Sequence, residues 1–247
     1  MKLKILTLNV WRYYEWEGRK DQLIQFIKKE NPDVICLQEV NDDLKFNEGL
    51  KNQAELIAKL SGYKYWTYGK TDKLLKWNSE VLDREVWMGD GIISKYPIIK
   101  ETKHILKKYL EYGDSKDLGF VHAKIDLGKD KIDVLSVHYA NNDKSSKLHL
   151  KETLEWCETE GLRPIIAGDF NMMITEDVKE VAGEDYYISY FIKPYKSFNP
   201  TNYSHNKVPV NLDYIITHKK KFIINKVSCE DVKISDHKPL IAEIEMI

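Results

Sequence analysis

The sequence predicts an α/β protein in which two β-sheets pack face to face and helices cover their outer sides. Three observations lead there. The chain opens on a strand-helix-strand unit, most later apolar runs are short and alternate like strands, and only a few helical stretches interrupt them. At 247 residues it exceeds the usual single-domain size, yet α/β and β-rich architectures of this length commonly form one domain, so a single unit over residues 1–247 is expected. A composition 43% hydrophobic and 31% charged is that of a globular chain with ample material for a core.

Lys2 to Val10 alternates and then turns apolar, as a buried strand does, and offers neither the long apolar run nor the small-residue cleavage site of a secretion signal. Arg19 to Glu30 places Leu23, Ile24, Phe26 and Ile27 at helical spacing and is stopped by Asn31-Pro32-Asp33. Val34 to Leu37 is the second strand, expected parallel and adjacent to the first. Lys51 to Leu60 reads as a helix ended by Ser61-Gly62, and Tyr63 to Tyr68 as a strand. Strands follow at Gly91 to Ser94, Ile98 to Leu106, Phe120 to Asp126 and Ile132 to His138, the last two joined by a turn around Gly128-Lys129-Asp130 and so expected antiparallel. Leu148 to Cys157 is a helix with Leu150, Leu154 and Trp156 inward, Pro164 to Gly168 a buried strand, and three more strands lie near Leu212 to Thr217, Lys221 to Val227 and Pro239 to Met246. These elements suggest two halves, each mixing hairpin strands with helices. Lys219-Lys220-Lys221 falls at an expected hairpin turn, where a solvated charge run is the favoured interpretation.

The 38 basic and 39 acidic residues leave a formal charge of -1, which weighs against duplex DNA as a substrate, although a local basic rim fits inside a neutral total. Cys36, Cys157 and Cys229 stand far apart, without the spacing of a disulfide framework or zinc knuckle, and a reducing cytoplasm suits them. No stretch is long enough to span a bilayer as a helix, and a monomer is expected.

Polar residues recur where apolar strands stop, at Asn9, Gln38-Glu39, His138 and Asp169-Phe170-Asn171, while Asp213 lies within the segment Asn211 to Ile216 and Ser235-Asp236-His237 precedes Pro239 to Ile241. Taken singly, such a residue is more often a turn former or a helix cap. Together they match one task, supplying hard oxygen ligands for Mg²⁺ or Mn²⁺ and two imidazoles for proton transfer and charge stabilisation.

The segments Thr7-Leu8-Asn9-Val10, Pro32 to Val40, Gly91 to Ile98, Val137-His138-Tyr139, Gly168-Asp169-Phe170-Asn171, Leu212 to Ile215 and Ser235 to Leu240 resemble, in order, the motif set of the endonuclease/exonuclease/phosphatase superfamily. The resemblance runs from Asn9 to His237. It implies a four-layer α/β/β/α sandwich of two mainly antiparallel mixed sheets and a metal-dependent hydrolase of phosphoric esters. It also implies that Glu39 is the principal metal carboxylate, helped by Asn9 and Asp236. His237 matches the imidazole near the scissile phosphorus and Asp213 the carboxylate that orients it. Asp169 matches the residue that aligns and deprotonates the attacking water, Asn171 the amide that binds a non-bridging oxygen.

His138 resembles the deoxyribonuclease, sphingomyelinase and inositol-phosphatase branches. Two departures stand out. Where many relatives carry a Glu partner for that histidine this chain has Met88, leaving Asp90 or Glu85 as substitutes, and where many carry an Arg before the strand at Phe120 it offers only Lys116. Trp11, Tyr13, Tyr14 and Trp16, with Trp66, Tyr68, Trp77 and Trp87, are candidates for stacking on a base or gripping an apolar leaving group, with ordinary packing at least as good a reading. Tyr186 to Phe191 is a candidate flap under the same reservation. The substrate expected is therefore a small or lipid-like phosphate ester. The alternatives are a DNA nuclease or a remover of DNA-end adducts, and a catalytically silent binding protein on the same fold.

Overall fold

A computed structural model describes residues 1–77, 79–192 and 210–247. The chain runs through β1 (Lys2–Asn9), α1 (Trp16–Glu30), β2 (Val34–Asp42), α2 (Gln53–Ser61) and β3 (Tyr65–Lys73), then the short hairpin of β4 (Lys76–Trp77) and β5 (Glu80–Val81). It continues through β6 (Trp87–Ser94), β7 (Ile98–Ile105), β8 (Gly119–Asp126), β9 (Lys131–His138), α3 (Asp143–Thr159), β10 (Ile165–Asp169) and α4 (Thr175–Ala182). It closes with β11 (Tyr186–Ile188), β12 (Asp213–His218), β13 (Phe222–Cys229) and β14 (Leu240–Met246).

One six-stranded sheet has the order β13-β14-β1-β2-β6-β3 and the other β11-β12-β10-β9-β8-β7. Each is antiparallel except for one parallel pair, β1 with β2 and β9 with β10. Period-2 alternation divides the side chains of the strands between two layers. Ile5, Cys36, Ile92, Val134, Ala167 and Ile215 meet between the sheets. Leu6, Leu8, Ile35 and Leu37 face the other way onto Leu23, Ile27 and Ile57 of α1 and α2. Leu135, Val137 and Ile166 likewise pack under Leu150 and Val178 of α3 and α4. The result is the four-layer α/β/β/α sandwich, in which each fully buried aliphatic side chain contributes about 1.5–3 kcal/mol of hydrophobic free energy.

Local sequence explains the boundaries. The Asn52 side chain accepts from the Glu55 amide to start α2, and Gly62 at φ 87° ends it in the left-handed conformation. Asn142 caps α3 through the Ser145 amide, so that helix begins earlier than its apolar periodicity reveals.

Two expectations are corrected. The two sheets are not successive halves of the chain, because β13 and β14 return to pair beside β1. The turn at Lys219-Lys220-Lys221 is tight, the Lys221 amide donating to the His218 carbonyl at 3.0 Å, but it carries the chain from one sheet into the other rather than forming a hairpin. Tyr186 to Ile188 is an edge strand against β12, and Ser189–Phe191 a 3₁₀ turn, so of the two readings of this segment packing describes it.

Candidate active site

The ends of β1, β2, β9, β10 and β12 meet at one rim, together with the loop between β13 and β14. Register does much of the assembly. Asp169 lies directly between His138 on its parallel neighbour and Asp213 on its antiparallel one, and Asn9 is the register partner of Gln38. Close approach of β10 to β9 requires Gly168, since a Cβ there would sit 2.0 Å from the Val137 carbonyl oxygen. Glu39 reaches the rim differently. Opposite β6 the register of β2 slips between Leu37 and Val40, and Glu39 in that bulge has φ 53°. A bulge of this kind re-aims one side chain. Trp11, Arg12 and Asn171 at the same rim also have positive φ, at 55°, 51° and 51°. Non-glycine residues held there store strain that the surrounding structure must offset.

The loop bearing Asp236 and His237 is tied to the end of β1 and to α1: the Ser235 hydroxyl donates to the Asn9 carbonyl at 2.6 Å, and Arg19 donates to the Ile234 carbonyl at 3.0 Å. The cleft so formed, about 440 Å³, is lined by Asn9, Glu39, His138, Asp169, Asn171, Asp236 and His237 and by Lys116. Asp213 lies beneath it, accepting at 2.8 Å from Nδ1 of His237. All eight residues singled out in the sequence thus gather at one place.

Asp169 Oδ2 is the hub. It accepts from Asn9 Nδ2 at 3.1 Å, with His237 Nε2 at 3.7 Å and His138 Nε2 at 3.8 Å. The Asn171 amide donates to Asp169 Oδ1 at 3.0 Å, while its side-chain Nδ2 donates to the Tyr139 carbonyl at 2.9 Å. One of the two hydrogens on that nitrogen remains available to a ligand.

Charge is unevenly compensated. Burial raises the Asp169 carboxyl, aided by Asp213 and opposed by His237 and His138. Burial likewise raises Asp236, with His237 opposing and Glu39 adding to the rise. Burial also works against a charged His237, but Asp213, Asp169 and Asp236 outweigh it and lift the imidazole to about 10. His138 moves down, through burial first and then Lys116 and His237. Burial would raise Glu39 too, yet Arg12, His138, Lys116 and His237 leave it below the ordinary carboxylate value. Asp213 raising Asp169, and Glu39 and Asp169 raising Asp236, make an environment that a cation would relieve. Two donor groups could hold one. Atoms of Asp169, Asp213 and His237 lie within 4.8 Å of one another; Asn9, Glu39 and Asp236 line the same cleft with oxygen donors.

The substitutes suggested for a His138 partner do not hold. Glu85 is bound to the Trp87 indole, and no hydrogen bond joins Asp90 to His138 among the described residues. Asp169 is the carboxylate beside that imidazole. Met88 is buried with Leu74, Val86 and Leu118, a pocket with no place for an acid. Asp90 is 1% exposed and raised well above its ordinary value by burial, then by Asp169 and Glu39. Of the aromatic residues, Tyr13, Trp16 and Tyr68 belong to the core under α1 and α2, whereas Trp11 and Tyr14 follow Asn9 with ring centroids 4.3 Å apart and planes tilted by 40°. Sequence reasoning missed Arg12, whose Nε lies 3.0 Å from Glu39 Oε2. Its signal was a lone cation three residues after Asn9, overlooked among the aromatic residues around it.

The model of the Endonuclease/Exonuclease/phosphatase family matches residues 6–237. The chain belongs to this family, a superfamily of phosphoester hydrolases and nucleases. An uncharacterised protein of Acanthamoeba polyphaga mimivirus is 33% identical over 106 residues, a stretch covering 33% of this chain and 40% of that protein, so the match spans well under two thirds of that relative. Phospholipase C of Staphylococcus aureus is 25% identical over 94% of this chain and 79% of its own length. Among solved structures, an endonuclease/exonuclease/phosphatase from Beutenbergia cavernae superposes with a TM-score of 0.80 at 17% identity, over 99% of this chain and 72% of that one, which establishes the shared fold.

Proposed function

We propose that this chain is a Mg²⁺- or Mn²⁺-dependent hydrolase that cleaves a phosphoric ester by in-line attack of water. The observation that carries this reading is the hub at Asp169: one carboxylate oxygen, in a cleft also lined by Glu39 and Asp236, faces Asn9, His237 and His138 within 3.8 Å. A carboxylate whose proton affinity burial has raised is a better base than a solvated one, which suits Asp169 to align and deprotonate water. His237, held by Asp213 and carrying positive charge at neutral pH, clamps a phosphoryl oxygen as charge builds on it. Asn171, its orientation fixed by the Tyr139 carbonyl, donates its remaining hydrogen to a non-bridging oxygen. His138, kept neutral by burial, donates or accepts a hydrogen bond beside Asp169.

Glu39, Asn9 and Asp236 fit a hard divalent ion, which when bound supplies Lewis-acid polarisation of the phosphate and relief of charge on the leaving oxygen. The trio of Asp169, Asp213 and His237 suits a cation less, because an imidazolium already shared with Asp213 repels one. Exposed Leu110 and Tyr112 just precede the cleft-lining segment Gly113 to Lys116, and exposed Ile174 follows Asn171 by three residues, which favours an ester with an apolar group. The phospholipase name of the S. aureus relative agrees with that.

The test is a substrate panel with Mg²⁺, Mn²⁺ or chelator: bis-nitrophenyl phosphate, sphingomyelin, phosphatidylcholine, inositol phosphates, plasmid DNA and a 5′-tyrosyl oligonucleotide. Divalent-dependent hydrolysis that prefers the lipid diesters supports the reading in full. DNA nicking with a steep salt dependence would replace the lipid-like substrate by nucleic acid, and turnover that survives both chelation and His237→Ala would refute the mechanism.

A further inference from the structure

The Arg12 guanidinium lies between two unlike partners. Its Nε donates to Glu39 Oε2 at 3.0 Å, and its carbon stands 5.1 Å from the centroid of Trp77 on the β4–β5 hairpin. Its backbone is fixed independently: the Arg12 amide donates to the Glu39 carbonyl at 3.2 Å, and Arg19 and Gln53 side chains both donate to the Arg12 carbonyl at 2.7 Å. The side chain is thus free to change partner while its root stays in place. A guanidinium carries five donors, and among the described residues only Nε is engaged. The nitrogens left over form the planar fork that matches phosphate. Glu39 is the carboxylate for which a divalent ion and Arg12 must compete.

We propose that Arg12 is a substrate-binding residue with two positions: it neutralises Glu39 in the ion-free protein, and it yields Glu39 to a divalent ion and turns on the Trp77 ring to bind a phosphate oxygen of the substrate. This rests on the functional reading above, since it takes Glu39 as the ion's carboxylate. Arg12 is the cation paired with that carboxylate. Removing it removes both a competitor for that carboxylate and a like charge beside the ion.

The test uses the full chain and Mn²⁺, with free ion read by electron paramagnetic resonance and fold checked by near-ultraviolet circular dichroism. In Arg12→Gln, Mn²⁺ binding should tighten by about threefold or more, while KM for bis-nitrophenyl phosphate rises about tenfold with kcat little changed, as loss of one charge-assisted contact to phosphate would give. Arg12→Lys, which keeps the charge and loses the fork, should tighten Mn²⁺ binding less and still raise KM. Mn²⁺ binding that is unchanged or weaker in Arg12→Gln would overturn the inference alone, because Arg12 would then only seat Glu39. Failure of the wild type to bind Mn²⁺ at all would overturn the functional reading and this inference with it.

Discussion

Nδ1 of His237 lies 2.8 Å from Oδ2 of Asp213, although 24 residues separate the two along the chain. Asp213 begins β12 in one sheet and His237 sits in the loop that leads into β14 of the other, so the pair spans the sandwich. Asp213→Asn keeps the shape but removes the charge and disturbs the tautomer. Hydrolysis should fall by about two to four orders of magnitude, with substrate affinity changed much less. Steady-state kinetics on the best substrate of the panel check this.

The same pair sets a pH dependence of stability in chelator-treated protein. The folded His237 value, about 10, lies above the unfolded value of roughly 6.5, so folding takes up a proton between them. The stabilisation is complete below the unfolded value and is lost as pH rises through the folded one. Wild type should therefore melt higher than Asp213→Asn at pH 6, and the gap should close toward pH 10 to 11 in thermal unfolding (pH values approximate, from the same linkage).

Asp90 has the opposite sign. Burial raises this acid well above its ordinary value, and its Oδ1 has no hydrogen-bond partner among the described residues. A raised carboxyl costs stability once pH exceeds its unfolded value near 3.9, since the unfolded chain ionises first. Asp90→Asn should stabilise the protein by about 1 kcal/mol at pH 7, and the gain should vanish as pH falls below about 4, read from denaturant midpoints.

Gly168→Ala should be damaging out of proportion to one methyl group. The new Cβ meets the Val137 carbonyl oxygen at 2.0 Å, inside the β9–β10 pairing that sets Asp169 beside His138. A loss of about 3 kcal/mol in chemical denaturation is expected, with activity falling even where the protein remains folded.

The sandwich and its site were legible to different depths. Apolar alternation located the strands, and the polar residues beside them gave Asn9, Glu39, His138, Asp169 and Asp213 before any coordinates, because a polar or ionisable group next to a buried run costs free energy unless it is used. Sheet membership was not legible. The return of β13 and β14 to β1 is a long-range pairing that no local pattern encodes, and the turn at Lys219 to Lys221 looks the same whether it folds back or crosses over. The bulge at Gln38-Glu39 was equally hidden, since it depends on the register with β6. Arg12 escaped because its meaning lies in a partner 27 residues away.

The central claim is that Glu39, with Asn9 and Asp236, holds one divalent ion while His237 faces the same phosphate from elsewhere in the cleft. Anomalous diffraction from crystals soaked in Mn²⁺ tests it most directly. One strong peak is expected about 2.1 Å from a Glu39 carboxylate oxygen, with Asn9 or Asp236 completing the site directly or through water and Arg12 displaced. A peak inside the Asp169, Asp213 and His237 trio, with Glu39 still paired to Arg12, would contradict it.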